Sequence, residues 1–340
     1  MTQSFVRSMV AVCVKIAVTV SLLWFLVSRV DLHHISNALT GLNLASLGLA
    51  AFVLALTIPT NAARWHYILS ASGYSPGMAK LAKILLVGLF FNQVLPSGIG
   101  GDAVRAWRCH LLGIPAGQAI RSILLDRAMG FASIVLVFAA GLPILLRMMA
   151  DGLQQGVFVA ILLIAVGGLA ALFSLDFLPN FLLRAKFLSP LASISIEARR
   201  LVSDPRRLGV IFSLALLGTA INIWAYQRIA LSIGADLSFV DWVLIVPPVT
   251  LVQLLPVSLA GWGIREAALV VVLSAFDTPS EIALTISLLF GACQVLIALP
   301  GGLVWVTGWD LDADTRSGNE DPAPGIPATP AKPSVTEAGS

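Results

Sequence analysis

The chain has 340 residues, of which 58% are apolar and 11% charged, with a formal net charge of +3. Globular domains run about 45–50% apolar and about 25% charged, and a mean hydropathy of +0.91 over the whole chain is too high to hide in a water-soluble core. These values exclude a soluble enzyme, a secreted disulfide scaffold, a disordered regulator and a nucleic-acid binder, and indicate a polytopic membrane protein.

Residues 9–27 are apolar except for Lys15 and follow Arg7. No small-residue cleavage site comes after them, so they read as a retained first span rather than a signal peptide. The second span is predicted at 44–69, with Pro59 and Arg64 near its far end. Further full spans are predicted at 120–146, 157–175, 208–229 and 282–306, each long enough to cross a hydrocarbon core of ~30 Å as a helix.

Two other apolar stretches are interrupted. Residues 81–95 run into Pro96, Gly98, Gly100 and Gly101, followed by a short helical stretch to about Leu112. Residues 240–255 run into Pro256, Gly261 and Gly263, followed by an apolar stretch to Phe276. The pieces are shorter than the ~20 residues a single crossing needs, which predicts re-entrant hairpins. Irregular backbone at membrane depth requires protein shielding or a wet cavity. The two breaks are related: Gln93, Leu95, Pro96, Gly101 and Arg105 recur as Gln253, Leu255, Pro256, Gly261 and Arg265, each 160 residues on. This is an internal repeat.

Charge sets the expected orientation. Segment 176–207 carries Arg184, Lys186, Arg199, Arg200, Arg206 and Arg207, whereas 231–241 and 277–281 carry acids and no Lys or Arg. The positive-inside rule then puts 70–83, 105–121, 176–207 and both termini in the cytoplasm. Three spans separate the hairpins, so the second copy is inverted. The predicted fold is an all-α integral membrane bundle of about six full spans and two opposed re-entrant hairpins, about eight hydrophobic segments in all. Segment 181–206 reads either as an amphipathic surface helix or as a solvated loop. The tail, 309–340, has six acids, two bases and five prolines and is expected to be disordered and cytoplasmic. Residues 1–308, with motifs at 92–105 and 253–266, form the membrane domain and keep a net charge of +7.

Cys13, Cys109 and Cys293 form no pairing framework, and the four histidines have no metal-ligand spacing. No metal or cofactor is expected, and no nucleophile–base constellation points to an enzyme. The candidate ligand site is the first hairpin: Asn92, Gln93, Gly100, Gly101, Asp102 and Arg105. Glycines allow close backbone approach, Asp102 is placed to N-cap the following helix, and that N-terminus with Arg105 suits an anion. The alternative is a simple turn in which Asp102 pairs with Arg105. Gly261, Arg265 and Glu266 repeat the arrangement; Trp262 reads as an interfacial aromatic. Asp126 and Arg127 lie inside a span and point about 100° apart, so each needs a partner elsewhere. Arg105 and Arg265 are both candidates for Asp126, and a structural pair competes with a transport role. Arg64 and Arg228, near span ends, are expected to snorkel to headgroups.

The run Asn92–Arg105 (N-Q-V-L-P-S-G-I-G-G-D-A-V-R), the Asp126-Arg127 pair and Ser258–Glu266 (S-L-A-G-W-G-I-R-E) resemble the lysylphosphatidylglycerol synthase transmembrane-region, or flippase-like domain, family. The resemblance covers about residues 5–308. It carries over Asn92, Pro96, Gly100, Gly101, Asp102, Arg105, Arg127, Gly261, Arg265 and Glu266; Gln93 stands where a second Asn is frequent and Asp126 where Glu is frequent. It implies an inner-membrane protein that moves or handles an anionic phospholipid or polyprenyl-phosphate-type lipid, without the soluble aminoacyl-transfer domain. Expected partners are that lipid and enzymes that modify lipids or build the cell envelope, with no nucleic acid. A secondary transporter of a small anion and a membrane enzyme acting on a lipid phosphate are the competing readings.

Overall fold

The computed structural model describes residues 41–95, 100–149, 151–174, 199, 201, 204–254 and 263–308. The predicted first span, most of segment 176–207, the tail and the two breaks at 96–99 and 255–262 lie outside them. The described residues are helical, with no strand among them.

The second span is two helices, α1 (Leu44–Ala55) and α2 (Thr57–Ala71). Pro59 explains the division. It has no N–H for the carbonyl of Ala55 and its ring crowds that carbonyl, so the ladder breaks at Leu56. The hydroxyls of Thr57 and Thr60 donate to the carbonyls of Leu54 and Leu56 at 2.6 and 2.8 Å, which leaves less of the broken ladder unsatisfied.

The first hairpin follows as α3 (Met78–Val94) and α4 (Gly100–Leu111). Three long helices come next: α5 (Ala116–Met148), α6 (Gly152–Ser174) and α7 (Pro205–Ser232). Asp204 caps α7 by accepting from the Arg207 amide at 3.1 Å, and Pro205 occupies the first turn, where its missing donor costs nothing. The second hairpin is α8 (Phe239–Gln253) and α9 (Ile264–Leu273), extended by a 3-10 turn at Ser274–Phe276. A capping box between Ser238 and Asp241 starts α8. The last helix among the described residues is α10 (Ser280–Thr307). Five apolar segments among the described residues are long enough to cross a membrane: Leu44–Ala71, Ala116–Met148, Gly152–Leu172, Pro205–Ser232 and Ser280–Thr307. They coincide with the second to sixth predicted spans.

The packing is pseudo-symmetric. α2, α3, α4 and α5 touch as α2–α3, α3–α4, α4–α5 and α2–α5, and α7, α8, α9 and α10 repeat all four pairings. Each hairpin also packs on the long helix of the other half, α3 on α10 and α8 on α5. Gly301 and Gly141, 160 residues apart, stand at those two crossings. A Cβ on Gly301 would overlap the carbonyl oxygen of Leu86, and one on Gly141 would come within 2.8 Å of Leu244.

The first hairpin opens where α2 ends and α5 begins. α6 ends where α7 begins, since Leu172 and Leu208 both pack around Ile68, Met129 and Ile211. Three traversals therefore separate the hairpins, and the second opens at the opposite end. One core holds Phe138, Leu145, Tyr226, Trp242, Ile245 and Phe290. A second, under the first hairpin, holds Trp65, Leu69, Leu81, Ile84 and Cys109.

Candidate functional site

The first hairpin closes on two glycines. A side chain on Gly101 would overlap the Gly88 carbonyl, and one on Gly88 would press within 2.7 Å of the Arg105 stem. Their absence lets α4 lie against α3, and the Gly101 amide donates to Asn92 Oδ1 at 3.0 Å. Asp102 does not cap α4. The helix begins at Gly100, so Asp102 sits within the first turn, where a carboxylate still favours the helix dipole and is free to bind arginines.

Five charged side chains from α2, α4 and α5 then form one network. Arg105, 5% exposed, lies with its guanidinium 4.2 Å from the Trp65 ring centre. It donates to Asp102 Oδ1 at 3.1 Å and to Asp126 Oδ2 at 3.3 Å. Arg64 donates from Nε to Asp126 Oδ1 at 2.7 Å. Arg127 binds Asp102 in a fork, Nε to Oδ2 at 3.0 Å and Nη2 to Oδ1 at 3.2 Å. Arg64 thus does not snorkel. It faces α5 and is 7% exposed, because the buried Asp126 offers a stronger counter-charge than a distant headgroup. Asp126 pairs with Arg64 and Arg105, not with Arg265. Three guanidiniums meet two carboxylates, so the network carries one net positive charge. Its most open member is Arg127, whose side chain is 47% exposed against 5% for Arg105.

The second hairpin is built differently. Gly263, at φ 85°, starts α9, and its amide donates to Glu266 Oε2. Glu266 Oε1 accepts from Arg265 Nη2 at 2.7 Å and from the Ser287 hydroxyl at 2.9 Å. Arg265 also donates to Ser287 at 2.8 Å and to Gln294 at 3.2 Å. Arg265 and Glu266 are 1% and 0% exposed. Among the described residues one cation and one anion close on each other, leaving no net charge. The repeat thus preserves the arginine position but not its counter-ions: Ala106 stands where Glu266 falls, and Trp262 where Asp102 falls.

A cavity of about 660 Å³ lies between α2, α5, α6, α7, α8 and α10. Arg64, Asp126, Arg127, Tyr226, Phe290 and Gln294 are among the residues that line it. Arg105 and Arg265 stand behind these walls rather than in them. Gln93 and Asn92 belong to α3 and do not border the cavity, and Gly261 lies outside the described residues. Sequence reasoning named Gln253 only as a repeat position and did not single out Asn61 and Asn222, which also belong to the lining. Asn61 and Asn222 sit inside apolar spans, and polar side chains at such positions are themselves a signal of function. Among the described residues no three His, Cys, Asp or Glu side chains gather as a metal site.

Residues 12–302 match the family described as lysylphosphatidylglycerol synthase TM region. A UPF0104 membrane protein of Methanocaldococcus jannaschii is 34% identical over 85 residues, which is 24% of this chain and 25% of that one. The chain therefore matches about a quarter of the length of this curated relative.

Proposed function

Since the chain belongs to the family of lysylphosphatidylglycerol synthase TM regions, a family of multi-pass membrane proteins, we propose that it is a flippase-like translocase of an anionic phospholipid or polyprenyl-phosphate-type lipid. The observation that carries the reading is the unbalanced charge of the Arg64, Arg105, Arg127, Asp102 and Asp126 network, presented to an intramembrane cavity through Arg127. Charge inside a membrane bundle is costly and is retained for function. One surplus guanidinium is completed by one anion, and its planar fork suits a phosphate.

The remaining walls support a lipid rather than a free ion. Phe131, Ile134, Leu169, Leu172, Val246 and Leu254 line the same cavity as the cationic corner, which fits a ligand with an anionic head and apolar surroundings. Two opposed hairpins, with α8 of the second bordering the cavity, suit alternating exposure to the two leaflets. The location that goes with this reading is the inner membrane with both termini cytoplasmic, and the working partners are enzymes that make or modify the lipid.

The test is translocation of fluorescent lipids in proteoliposomes of the purified chain. Anionic phospholipids should cross faster than phosphatidylcholine, and protein-free vesicles should show neither. Equal rates for anionic and zwitterionic lipids would remove the role of the surplus charge. Uptake of inorganic phosphate without lipid movement would instead favour a small-anion transporter.

A further inference from the structure

The cavity holds more polar chemistry than an anion needs. Four of its side chains are already engaged: Thr219 with Ser133 at 2.8 Å, Thr250 with the Val246 carbonyl at 2.8 Å, Asn222 with the Gly218 carbonyl at 2.9 Å, and Gln294 with Arg265 at 3.2 Å. Two are not. Asn61 on α2 and Gln253 at the end of α8 border the cavity and have no hydrogen-bond partner among the described residues. Asn61 lies one turn from Arg64 on the same helix face. Gly218 keeps the space in front of it open, since a Cβ there would stand 3.7 Å from Asn61 Oδ1. Gln253 belongs to the repeat, 160 residues after Gln93.

A primary amide offers two donors and one carbonyl acceptor. Asn61 and Gln253 are half-buried at the cavity surface, with donors and carbonyl open to whatever fills it, so two such groups in a cavity that also holds a cationic corner suit a ligand that can both donate and accept. A phosphodiester group only accepts and leaves both amide carbonyls without a donor. An ammonium headgroup only donates, and adds positive charge to a network that already has one in surplus. A hydroxyl does both. Resting on the anionic-lipid reading above, we propose that the ligand's phosphate carries a hydroxylated headgroup, a polyol or sugar, and that Asn61 and Gln253 read its hydroxyls while Arg127 holds the phosphate.

The experiment compares fluorescent phosphatidylinositol with fluorescent phosphatidate in proteoliposomes of the full chain. The inositol lipid should move about ten-fold faster, the effect of two neutral hydrogen bonds. Asn61→Leu/Gln253→Leu should bring it down to the phosphatidate rate of the same variant. Equal rates in the wild type, or a preference kept by the variant, would overturn the proposal and mark the cavity as merely hydrated. A measurement on the wild type alone guards against a misfolded variant: inositol 1-phosphate should raise Tm more than inorganic phosphate at equal concentration, and equal shifts would count against the proposal. The two levels of inference separate cleanly. If inositol 1-phosphate stabilises the protein and enters the vesicles while no lipid moves, the headgroup chemistry stands and the lipid reading fails.

Discussion

Arg127 reaches from α5 to the first turn of α4 and holds both carboxylate oxygens of Asp102, at 3.0 and 3.2 Å. Asp102 is shared, because Arg105 draws on the same carboxylate from behind at 3.1 Å. An anion entering the cavity therefore competes with Asp102 for Arg127, and Asp102 keeps Arg105 when it loses. Arg127→Gln should lower anionic-lipid translocation ten-fold to a hundred-fold, the size of a lost charged hydrogen bond, and leave Tm within a few degrees because the side chain is half exposed. Arg127→Lys should recover only part of the rate, since a point charge replaces a fork. Vesicle assays beside thermal melts check both. A full rate in Arg127→Gln would remove the residue from the transport path.

Asp126 should behave in the opposite way. It is 3% exposed and neutralises Arg64 and Arg105 together. Asp126→Asn leaves two guanidiniums buried without their shared counter-charge, a loss of about 3–5 kcal/mol. Low yield and a strongly lowered Tm in detergent are expected, whatever lipid is present. Asp126→Asn/Arg64→Met should regain part of that stability by removing one orphaned charge. An unaltered Tm in Asp126→Asn would contradict the burial of the pair.

The glycines make a third set. Gly101→Ala drives a methyl into the Gly88 carbonyl and Gly301→Ala into that of Leu86, whereas Gly168 in the cavity wall faces open space. Backbone cannot yield as a flexible side chain does, so the first two should each cost about 1–3 kcal/mol or more and Gly168→Ala close to nothing. Thermal melts of the three variants give the ranking directly.

Much of this architecture is readable from residue order. Spans two to six follow from apolar length, and the hairpins from short runs that stop at Pro96 and Pro256. The repeat shows in five matched positions, and Gly141 with Gly301 extends it, unnoticed because glycine is common in such a chain. Partner choice is only partly readable: spacing offers Asp102 with Arg105 and leaves Asp126 open to Arg105 or Arg265, but it points to neither Arg64 nor Arg127. Sequence places Arg105 and Arg265 in equivalent positions, yet Asp102 and Asp126 sit beside one and Glu266 beside the other, so one cluster keeps a charge and the other cancels it. Arg64 looked like an end-of-span cation because its counter-ion is 62 residues away. Asn61 and Gln253 become informative only once helices from both halves enclose the same space.

Topology supplies a fourth prediction. With Cys13, Cys109 and Cys293 replaced, single cysteines at Gly73, Asp236 and Asp277 should separate into two groups. Gly73 follows the end of α2 beside the opening of the first hairpin, while Asp236 precedes α8 and Asp277 follows the 3-10 turn after α9. A membrane-impermeant maleimide should label Asp236→Cys and Asp277→Cys from outside intact cells, and Gly73→Cys only after permeabilisation. Labelling of all three from one side would contradict the inverted arrangement.

The last prediction concerns Arg265 and Glu266. Their guanidinium and carboxylate are sealed by Ser287, Gln294 and the Gly263 amide, and neither borders the cavity. A closed, neutral, fully buried pair is expensive to break and cheap to replace. Arg265→Gln strands the Glu266 carboxylate, and Glu266→Gln strands the guanidinium, so each should lower Tm and yield sharply, by about 3–5 kcal/mol in stability. Arg265→Met/Glu266→Gln removes both charges and should recover most of that loss. Translocation per folded molecule should then stay within about two-fold of wild type, a change under roughly half a kcal/mol. The contrast with Arg127→Gln is the informative result: one arginine governs rate without stability, the other stability without rate. If Arg265→Met/Glu266→Gln folds well but moves no lipid, the second hairpin also binds the ligand, and the assignment of the anion to the Arg127 corner alone is wrong.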